Sequence, residues 1–322
     1  MNPKVKNLLP PLAGLGAVCA LAVIAAFFDL EINKALFFPE ALFGQFFAKV
    51  GEFPSHLAAP TVGVILFFQD FGKSKSLRNA FKILFGALTV VGFYTFFSWF
   101  IGVFSHDLQY AYAYHAAFSA IFSGLSLYIC SKVPRSVMKK LLWFAVCLAV
   151  AAIIANVVIA AIKPLWARER FRVMVGGEDR ALLAQASFDG FSPWYLPQKF
   201  AERSEEYIKN MLAIDESMGY HNDAFRSFPS GHTGAASIAA AVIVLGDIFP
   251  EKFRGKKRVL LFAAPIAYTA IVALSRIVIG AHFLSDVLFG GVIGLGAVFL
   301  TRLCFLKIRK KFDNGKQSRE AV

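Results

Sequence analysis

The stretch at residues 142–162 reads LWFAVCLAVAAIIANVVIAAI and contains no charged side chain. A helix of about 20 apolar residues is long enough to cross the hydrocarbon core of a bilayer, so this stretch predicts a membrane span. Similar runs lie at 8–28, 53–69, 83–104, 113–131, 231–250, 259–275 and 284–305. We therefore predict an all-α, polytopic transmembrane helix bundle of about eight spans. Because some runs are short, a bundle of six spans is the alternative.

The composition agrees with a membrane protein. Of the 322 residues, 57% are hydrophobic and only 17% are charged, whereas about 25% are charged in ordinary globular proteins. This amount of charge is too small to cover a water-soluble body of this size. The same composition excludes a disordered chain, which needs low hydrophobicity and high charge. The lipid bilayer is therefore the first expected partner.

The distribution of basic residues predicts the topology. Lys and Arg number 34 against 21 Asp and Glu, a net charge of +13 that would suggest nucleic-acid binding in a soluble protein. Most of these cations lie in connectors on one side of the predicted membrane, at 4–6, 73–82, 132–140, 252–258 and 307–319. Basic connectors face the cytoplasm. We therefore expect a multi-pass protein of the cell (inner) membrane with both termini in the cytoplasm, and no nucleic-acid partner.

One long connector, 164–229, lies on the opposite side and breaks this rule. The end of the fifth span, where cations should be scarce, carries Lys163, Arg168, Arg170 and Arg172. Each cation alone could extend to lipid headgroups, but four together favour an anion-binding site. We predict that this connector is an extracytoplasmic insertion, with an amphipathic surface helix within 198–218.

Three short polar stretches stand at the outer ends of predicted spans. They read KPLWARER (163–170), FPSGHT (228–233) and SRIVIGAHFLSD (275–286). A charge at the centre of a membrane costs about 2.5 to 3.5 kcal/mol or more, so ionisable groups in such positions are candidate functional residues. The predicted topology brings all three stretches to one face of the membrane.

His282 and Asp286 are the first candidates for catalysis. They are four residues apart, which places them on one face of a helix. The carboxylate can then accept a hydrogen bond from one imidazole nitrogen and leave the other nitrogen as a nucleophile or base. This spacing favours a functional pair over an isolated interfacial histidine.

Ser230 and Gly231 precede a run of small residues that predicts the start of a helix. Free backbone N–H groups at a helix start, a glycine that permits close approach and a hydroxyl donor favour phosphate binding. Ser230 is equally suited to cap the helix, and the two roles are compatible. His232 would add a proton donor beside this phosphate cradle.

Lys163, Arg170 and Arg276 supply three cations, and the two guanidinium groups match the geometry of phosphate oxygens. The sequence has no acidic cluster of the kind that binds Mg²⁺ and no zinc-type spacing among its six histidines. These residues predict phosphoryl transfer without a metal or any other cofactor.

In these three stretches the chain resembles the type 2 phosphatidic acid phosphatase (lipid phosphate phosphatase) superfamily, in its membrane-bound bacterial type. The signature of that family is Lys-x6-Arg-Pro, then Pro-Ser-Gly-His, then Ser-Arg-x5-His-x3-Asp. Lys163 and Arg170 keep the first spacing, 229–232 reads PSGH, and 275–286 keeps the third block in full. Phe171 stands where the family has proline, which leaves the shape of the first phosphate-binding turn open.

The resemblance implies a role for each matching residue. His282 would attack phosphorus and form a phosphohistidine, Asp286 would orient it, and His232 would protonate the leaving oxygen and later activate water. The phosphate oxygens would be held by Lys163, Arg170, Ser230, Gly231 and Arg276.

The resemblance also divides the chain, because the family core has six helices. Residues 1–132 would be N-terminal transmembrane helices, and 133–322 would form the phosphatase core with the insertion 164–229. Arg168 and Arg172 match no motif position and are expected to contact lipid headgroups.

We therefore expect an integral membrane, metal-independent phosphatase whose active site faces the extracytoplasmic (periplasmic) side. Its substrate would be a lipid phosphomonoester or pyrophosphate, such as phosphatidic acid, phosphatidylglycerol phosphate, undecaprenyl pyrophosphate or a lipid A phosphate. The alternatives are a lipid phosphotransferase with the same intermediate and a transporter of an anion or lipid. The sequence specifies neither the individual lipid nor the oligomeric state.

Overall fold

The computed structural model describes residues 3–104, 110–197 and 202–320, with side chains described between residues 13 and 311 of these ranges. Within them the chain is helical and contains no strand, which confirms the all-α prediction. The helices are α1 (Pro3–Leu36), α2 (Leu42–Val50), α3 (Phe53–His56), α4 (Ala58–Phe67), α5 (Lys75–Phe104), α6 (Ala111–Ser131), α7 (Arg135–Trp166), α8 (Phe171–Val175), α9 (Glu205–Ser217), α10 (Gly231–Ser237), α11 (Ile243–Ile248), α12 (Lys256–Val278) and α13 (Leu284–Glu320). Short 3-10 segments occupy Arg180–Gln185 and Ile238–Val242.

In the described part of the chain, eight stretches are long and apolar enough to cross a membrane. They are Ala13–Leu36, Leu42–Phe67, Lys75–Phe104, Ala111–Ser131, Arg135–Val175, Gly231–Ile248, Lys256–Val278 and Leu284–Lys311. This confirms the prediction of about eight spans, and the protein is a multi-pass membrane protein. Which side of the membrane each connector faces stays a prediction.

The contacts within the chain divide it into two compact units. The first contains Met1–Ala48, Asn156–Gly234 and Thr269–Ile293, and the second contains Lys49–Ala155, Ala235–Tyr268 and Gly294–Val322. All eight candidate site residues lie in the first unit. The predicted division at residue 132, between N-terminal helices and a phosphatase core, does not correspond to these two units and stays a prediction.

Each unit has its own apolar core. In the second unit, alanines such as Ala145, Ala151 and Ala240 pack with Ile238 and Ile243. Small residues let helix backbones approach closely, as is common between membrane helices. In the first unit, one cluster is aromatic and contains Phe37, Phe171 and Phe283. A second cluster holds the apolar face of α9 against Val173, Ala224 and Phe225.

Helix α9 confirms the amphipathic helix predicted within the connector, for the part of 198–218 that is described; residues 198–201 lie outside it. The helix begins after Ser204, whose Oγ accepts a hydrogen bond from the backbone N–H of Tyr207 at 3.2 Å. A serine in this position satisfies one of the N–H groups that a helix start leaves unpaired. The packed face of α9 then fixes the loop that follows it, which leads to the second motif.

Phe171 is the first residue of α8, a position where proline is favoured because its φ suits a helix start. Here Arg170 precedes the helix in an extended conformation, with φ −82° and ψ 143°. The ring of Phe171 is completely buried, with its centroid 5.2 Å from that of Phe37 and 5.5 Å from that of Phe188. Aromatic packing thus anchors the turn after Arg170 in place of a proline ring.

Candidate active site

His282 lies in the short turn between α12 and α13 and is completely buried. Its Nδ1 is 2.6 Å from the backbone carbonyl oxygen of Ser227. A carbonyl oxygen only accepts hydrogen bonds, so Nδ1 of the neutral imidazole carries the proton and Nε2 carries the lone pair. Nε2 lies 3.4 Å from Nη1 of Arg170. The turn therefore presents an unprotonated nitrogen beside a guanidinium group.

Asp286 lies in the first turn of α13 and does not bond the imidazole directly. Its Oδ2 is 3.7 Å from Nδ1 of His282, which is beyond hydrogen-bonding distance. Instead Oδ2 accepts hydrogen bonds from Oγ of Ser227 at 2.5 Å and from the backbone N–H of Phe283 at 2.8 Å. The predicted direct bond is wrong because the Ser227 carbonyl occupies Nδ1. Asp286 fixes both Ser227, which holds Nδ1, and the turn that carries His282.

Arg168 holds the other oxygen of Asp286. Its Nη1 donates to Oδ1 of Asp286 at 2.7 Å, and its Nη2 donates to Oδ2 of Asp29, on α1, at 2.9 Å. The side chain of Arg168 is only 1% exposed. The expectation that Arg168 contacts lipid headgroups is therefore wrong, because its guanidinium points into the unit and is paired there.

Arg170 is held rigidly beside His282. Its Nη1 donates to the carbonyl oxygen of Ala281 at 3.0 Å, while Nε and Nη2 donate to the backbone oxygen and Oδ1 of Asp223 at 2.9 and 2.7 Å. A guanidinium fixed on two edges loses little freedom when it binds an oxyanion. Lys163, at the end of α7, is also fixed, because its Nζ donates to the carbonyl oxygen of Arg226 at 2.6 Å.

The pKa of His282 lies well below its usual value. Burial is the largest cause, and the positive charges of Arg170, Lys163, Arg276 and His232 add to it. These four residues from the three motifs are thus close enough to act on the same imidazole. A histidine in this environment stays neutral at physiological pH, which is the state that a nucleophile requires.

Ser230 and Gly231 stand at the start of α10, where the sequence predicts a helix start. The backbone N–H of Ser230 donates to the backbone oxygen of Asp286 at 2.9 Å, and its Oγ accepts a hydrogen bond from the hydroxyl of Thr233 at 3.1 Å. A Cβ built at Gly231 would come within 4 Å of a single described atom outside its neighbours, Cε of Lys163 at 3.8 Å. The space in front of Gly231 is therefore open toward that lysine.

His232 and Arg276 complete the set of predicted residues. His232 follows Gly231 in the first turn of α10, and its Nε2 lies 3.1 Å from the backbone oxygen of Ala48. Arg276 lies in the last turn of α12 and is 5% exposed. The structure thus brings residues from all three motifs together around His282, while the roles assigned to them stay predictions.

Asp223 is a site residue that the sequence reasoning missed. Its Oδ1 accepts from Arg170 and its Oδ2 from Nη2 of Arg172 at 3.3 Å. Burial alone would raise the pKa of Asp223, but the charges of the two arginines outweigh it and hold that pKa well below its usual range. Arg172 is completely buried and lies 3.5 Å from the ring centroid of Tyr220, so the headgroup contact expected for Arg172 is also wrong.

A cavity of about 340 Å³ adjoins this site. Apolar side chains such as Pro164, Leu212 and Phe225 line it together with Arg226, whose carbonyl oxygen binds Lys163. It combines an apolar wall with one cation, which suits an amphipathic ligand. No group of three or more His, Cys, Asp or Glu residues is placed to hold a metal ion in the described ranges, and the expected metal-independence stays a prediction.

Comparisons with known proteins agree with the motifs. A family model described as PAP2 superfamily matches residues 182–310, which contain the second and third motifs but not Lys163 or Arg170. Phosphatidylglycerophosphatase B of Bacillus subtilis (strain 168) is 38% identical over 92 residues, which are 28% of this chain and 44% of that relative. The chain therefore matches less than half the length of this relative. No solved structure matches the chain significantly.

Proposed function

We propose that the chain is a member of the PAP2 superfamily, whose model matches residues 182–310, and that it is an integral membrane lipid phosphate phosphatase that works through a phosphohistidine intermediate. The main support is one contact: the carbonyl oxygen of Ser227 accepts a hydrogen bond from Nδ1 of His282, which leaves the lone pair of Nε2 beside Arg170. A neutral imidazole with a fixed tautomer and a neighbouring cation is suited to attack a phosphate ester.

In the first step, Nε2 of His282 attacks phosphorus and forms an N–P bond. The P–O bond to the lipid breaks, its electron pair leaves with the lipid oxygen, and His232 protonates that oxygen. The imidazole ring now carries positive charge, with its Nδ1 proton still hydrogen-bonded to Ser227. The carboxylate of Asp286, 3.7 Å from Nδ1, stabilises this charge.

In the second step, water attacks the phosphohistidine. His232, neutral after the first step, takes a proton from the water as its oxygen bonds to phosphorus. The N–P bond breaks, inorganic phosphate leaves, and the electron pair returns to Nε2 of His282. Both histidines are then in their starting protonation states, so the cycle needs no further reactant.

The phosphate oxygens are proposed to lie among Lys163, Arg170 and Arg276, in front of Gly231. Cations placed in advance around a transferring phosphoryl group supply most of the stabilisation of its transition state. The open space at Gly231 and its single neighbour, Lys163, support this placement.

The proposed substrate is a lipid whose chains stay in the bilayer while its phosphate enters the site. The apolar cavity beside Lys163 supports entry of an amphipathic molecule from this direction. The name of the Bacillus subtilis relative makes phosphatidylglycerol phosphate the first lipid to test, ahead of phosphatidic acid, undecaprenyl pyrophosphate and lipid A phosphates. A site on the extracytoplasmic face, with both termini in the cytoplasm, belongs to the same proposal.

The experiment that tests this function measures phosphate release from a panel of these lipids by the purified protein in EDTA, beside the His282→Ala variant. Release that survives EDTA and disappears in the variant is expected. Absence of release from every lipid, or equal activity of the variant, would overturn the proposal. A parallel reaction with an added acceptor lipid identifies a phosphotransferase, because the labelled phosphoryl group would then appear on the acceptor.

Gly231→Ala is expected to lower kcat/KM about 10- to 100-fold, because the new methyl group occupies the space proposed for phosphate, where small displacements are costly. The protein should stay folded, since the added methyl group would meet the side chain of Lys163 only at an ordinary contact distance, 3.8 Å from its Cε. Lipid hydrolysis and thermal unfolding measure the two effects. The matched control is Gly296→Ala in α13, which also faces open space. Equal kinetics in both variants would remove Gly231 from the phosphate site.

The imidazole of His282 is expected to protonate only well below pH 6.5. Burial and the surrounding cations lower its pKa, so His282 keeps its unprotonated nitrogen at pH values where an ordinary histidine is already protonated. NMR titration of ¹³C-labelled histidines measures this directly, with the signal of His282 identified by its loss in His282→Asn. A midpoint near 6.5 for that signal would contradict the environment described above.

A further inference from the structure

Two polar residues of α1, Asp29 and Asn33, contact the turn that carries His282. They are 1% and 0% exposed and lie four residues apart, on one face of the helix. Nδ2 of Asn33 donates to the backbone oxygen of His282 at 3.1 Å, and Oδ1 of Asp29 accepts from the backbone N–H of Ser285 at 3.0 Å. Helix α1 thus holds the turn at both of its ends, although it contains none of the motifs.

Asp29 is also linked to Asp286 through Arg168. The Arg168 guanidinium bridges the two carboxylates, with Nη2 on Asp29 at 2.9 Å and Nη1 on Asp286 at 2.7 Å. The hydroxyl of Ser285 accepts from Nη1 at 2.7 Å and donates to Oδ2 of Asp29. The three hydrogen bonds that the oxygens of Asp29 make with Arg168 and Ser285 all come from donors, which fits an ionised carboxylate.

The composition of this buried cluster has an electrostatic consequence. If Arg168 faced Asp286 alone, the pair would be neutral and would offer little to a positive charge on the neighbouring imidazole. With Asp29 sharing the guanidinium, two carboxylates face one cation, and the cluster is negative whenever both carboxylates are ionised. Unscreened charges in such an interior interact over several ångströms, so this charge acts on His282 when phosphorylation makes the ring positive.

We propose that Asp29 is a positioning residue for the reaction: through Arg168 and Ser285 it holds Asp286 and the His282 turn in place and keeps the cluster negative. This inference rests on the proposed phosphatase function. Asp29 touches neither the phosphate nor the reacting nitrogen, so its effect should appear in the chemical step and not in substrate binding.

The test compares Asp29→Asn with Glu31→Gln. Both changes remove one carboxylate from α1, but the Glu31 side chain is 65% exposed and forms an ion pair with Lys34 on the same helix. For each variant, kcat and KM are measured on the lipid that the wild type hydrolyses best, together with inhibition by inorganic phosphate and the thermal unfolding midpoint. Asp29→Asn is expected to lower kcat about 10- to 100-fold, with KM and phosphate inhibition within about twofold of wild type. Glu31→Gln should match wild type.

Two results with Asp29→Asn would overturn the inference. One is an unchanged kcat. The other is a joint loss of kcat, phosphate inhibition and thermal stability, because Asp29 would then only support the fold.

If Asp29→Asn does not fold, Ser285→Ala tests the inference instead, since it removes the hydroxyl between Arg168 and Asp29 without changing charge. A several-fold loss of kcat at constant KM is expected there, and wild-type kcat would overturn the inference. Inactivity of the wild type on every lipid phosphate would instead refute the proposed function.

Discussion

His282→Ala is expected to lose about 10⁴-fold or more in kcat, as removal of a covalent nucleophile does in other enzymes. The variant keeps the cations that we propose hold phosphate, but it has no imidazole nitrogen to attack phosphorus. Initial rates of phosphate release measure the loss. Rapid quenching at alkaline pH with a labelled lipid phosphate should trap a phosphoenzyme in the wild type and none in the variant.

The matched control is His221→Ala, since His221 is an exposed histidine in the loop before the second motif. It is expected to keep wild-type rates. His282→Asn serves as a second test of the site, because its amide can still donate to the Ser227 carbonyl in place of Nδ1. A phosphoenzyme in either His282 variant, or more than about a hundredth of the wild-type kcat, would contradict a nucleophilic role.

Arg170→Lys is expected to lower kcat/KM about 10³-fold, within the range seen when an arginine that stabilises phosphoryl transfer is lost. The guanidinium of Arg170 simultaneously bonds Asp223 on one edge, bonds the Ala281 carbonyl and lies beside Nε2 of His282. A lysine ammonium keeps the charge but is a single point on a flexible stem, so it cannot meet these partners together. Steady-state kinetics on the preferred lipid measure the effect.

Because the substitution conserves charge, the expected loss reports geometry and not the local potential. Arg180→Lys is the control, since Nη1 of Arg180 donates to the carbonyl oxygen of Phe37 at 2.9 Å, outside the His282 cluster. It should stay within about threefold of wild type. If Arg170→Lys lowers kcat/KM less than about 10-fold, the guanidinium of Arg170 does not bind the transferring phosphoryl group.

The number of spans could be predicted from the sequence because apolar character adds up over about 20 residues. Their ends were harder to predict, and the first run illustrates why. It was predicted to end at residue 28, where Asp29 interrupts the apolar pattern, yet the candidate span continues to Leu36. Asp29 is paired with Arg168, which is too far along the chain for any local sequence pattern to reveal.

The candidate residues His282 and Asp286 could be proposed from the sequence because their side-chain types recur at a fixed spacing, and the structure places them 3.7 Å apart. Contacts made by a backbone atom, or by two side chains far apart in the sequence, could not be predicted. The acceptor for Nδ1 is the carbonyl of Ser227, and every residue has a carbonyl, so no residue type marks it. Asp223 escaped notice for a related reason, because its partner Arg170 lies 53 positions earlier.

The burial of Asp29 also bears on how the protein is made. Synthesis runs toward the C-terminus, so Asp29 is added 139 residues before Arg168 and 256 before Ser285. Until then its carboxylate has neither partner, and an unpaired charge in a span costs about 2.5 to 3.5 kcal/mol or more during insertion. We therefore expect α1 to reach its final depth in the bilayer only after the late helices emerge, so that membrane insertion and assembly of the candidate site are coupled.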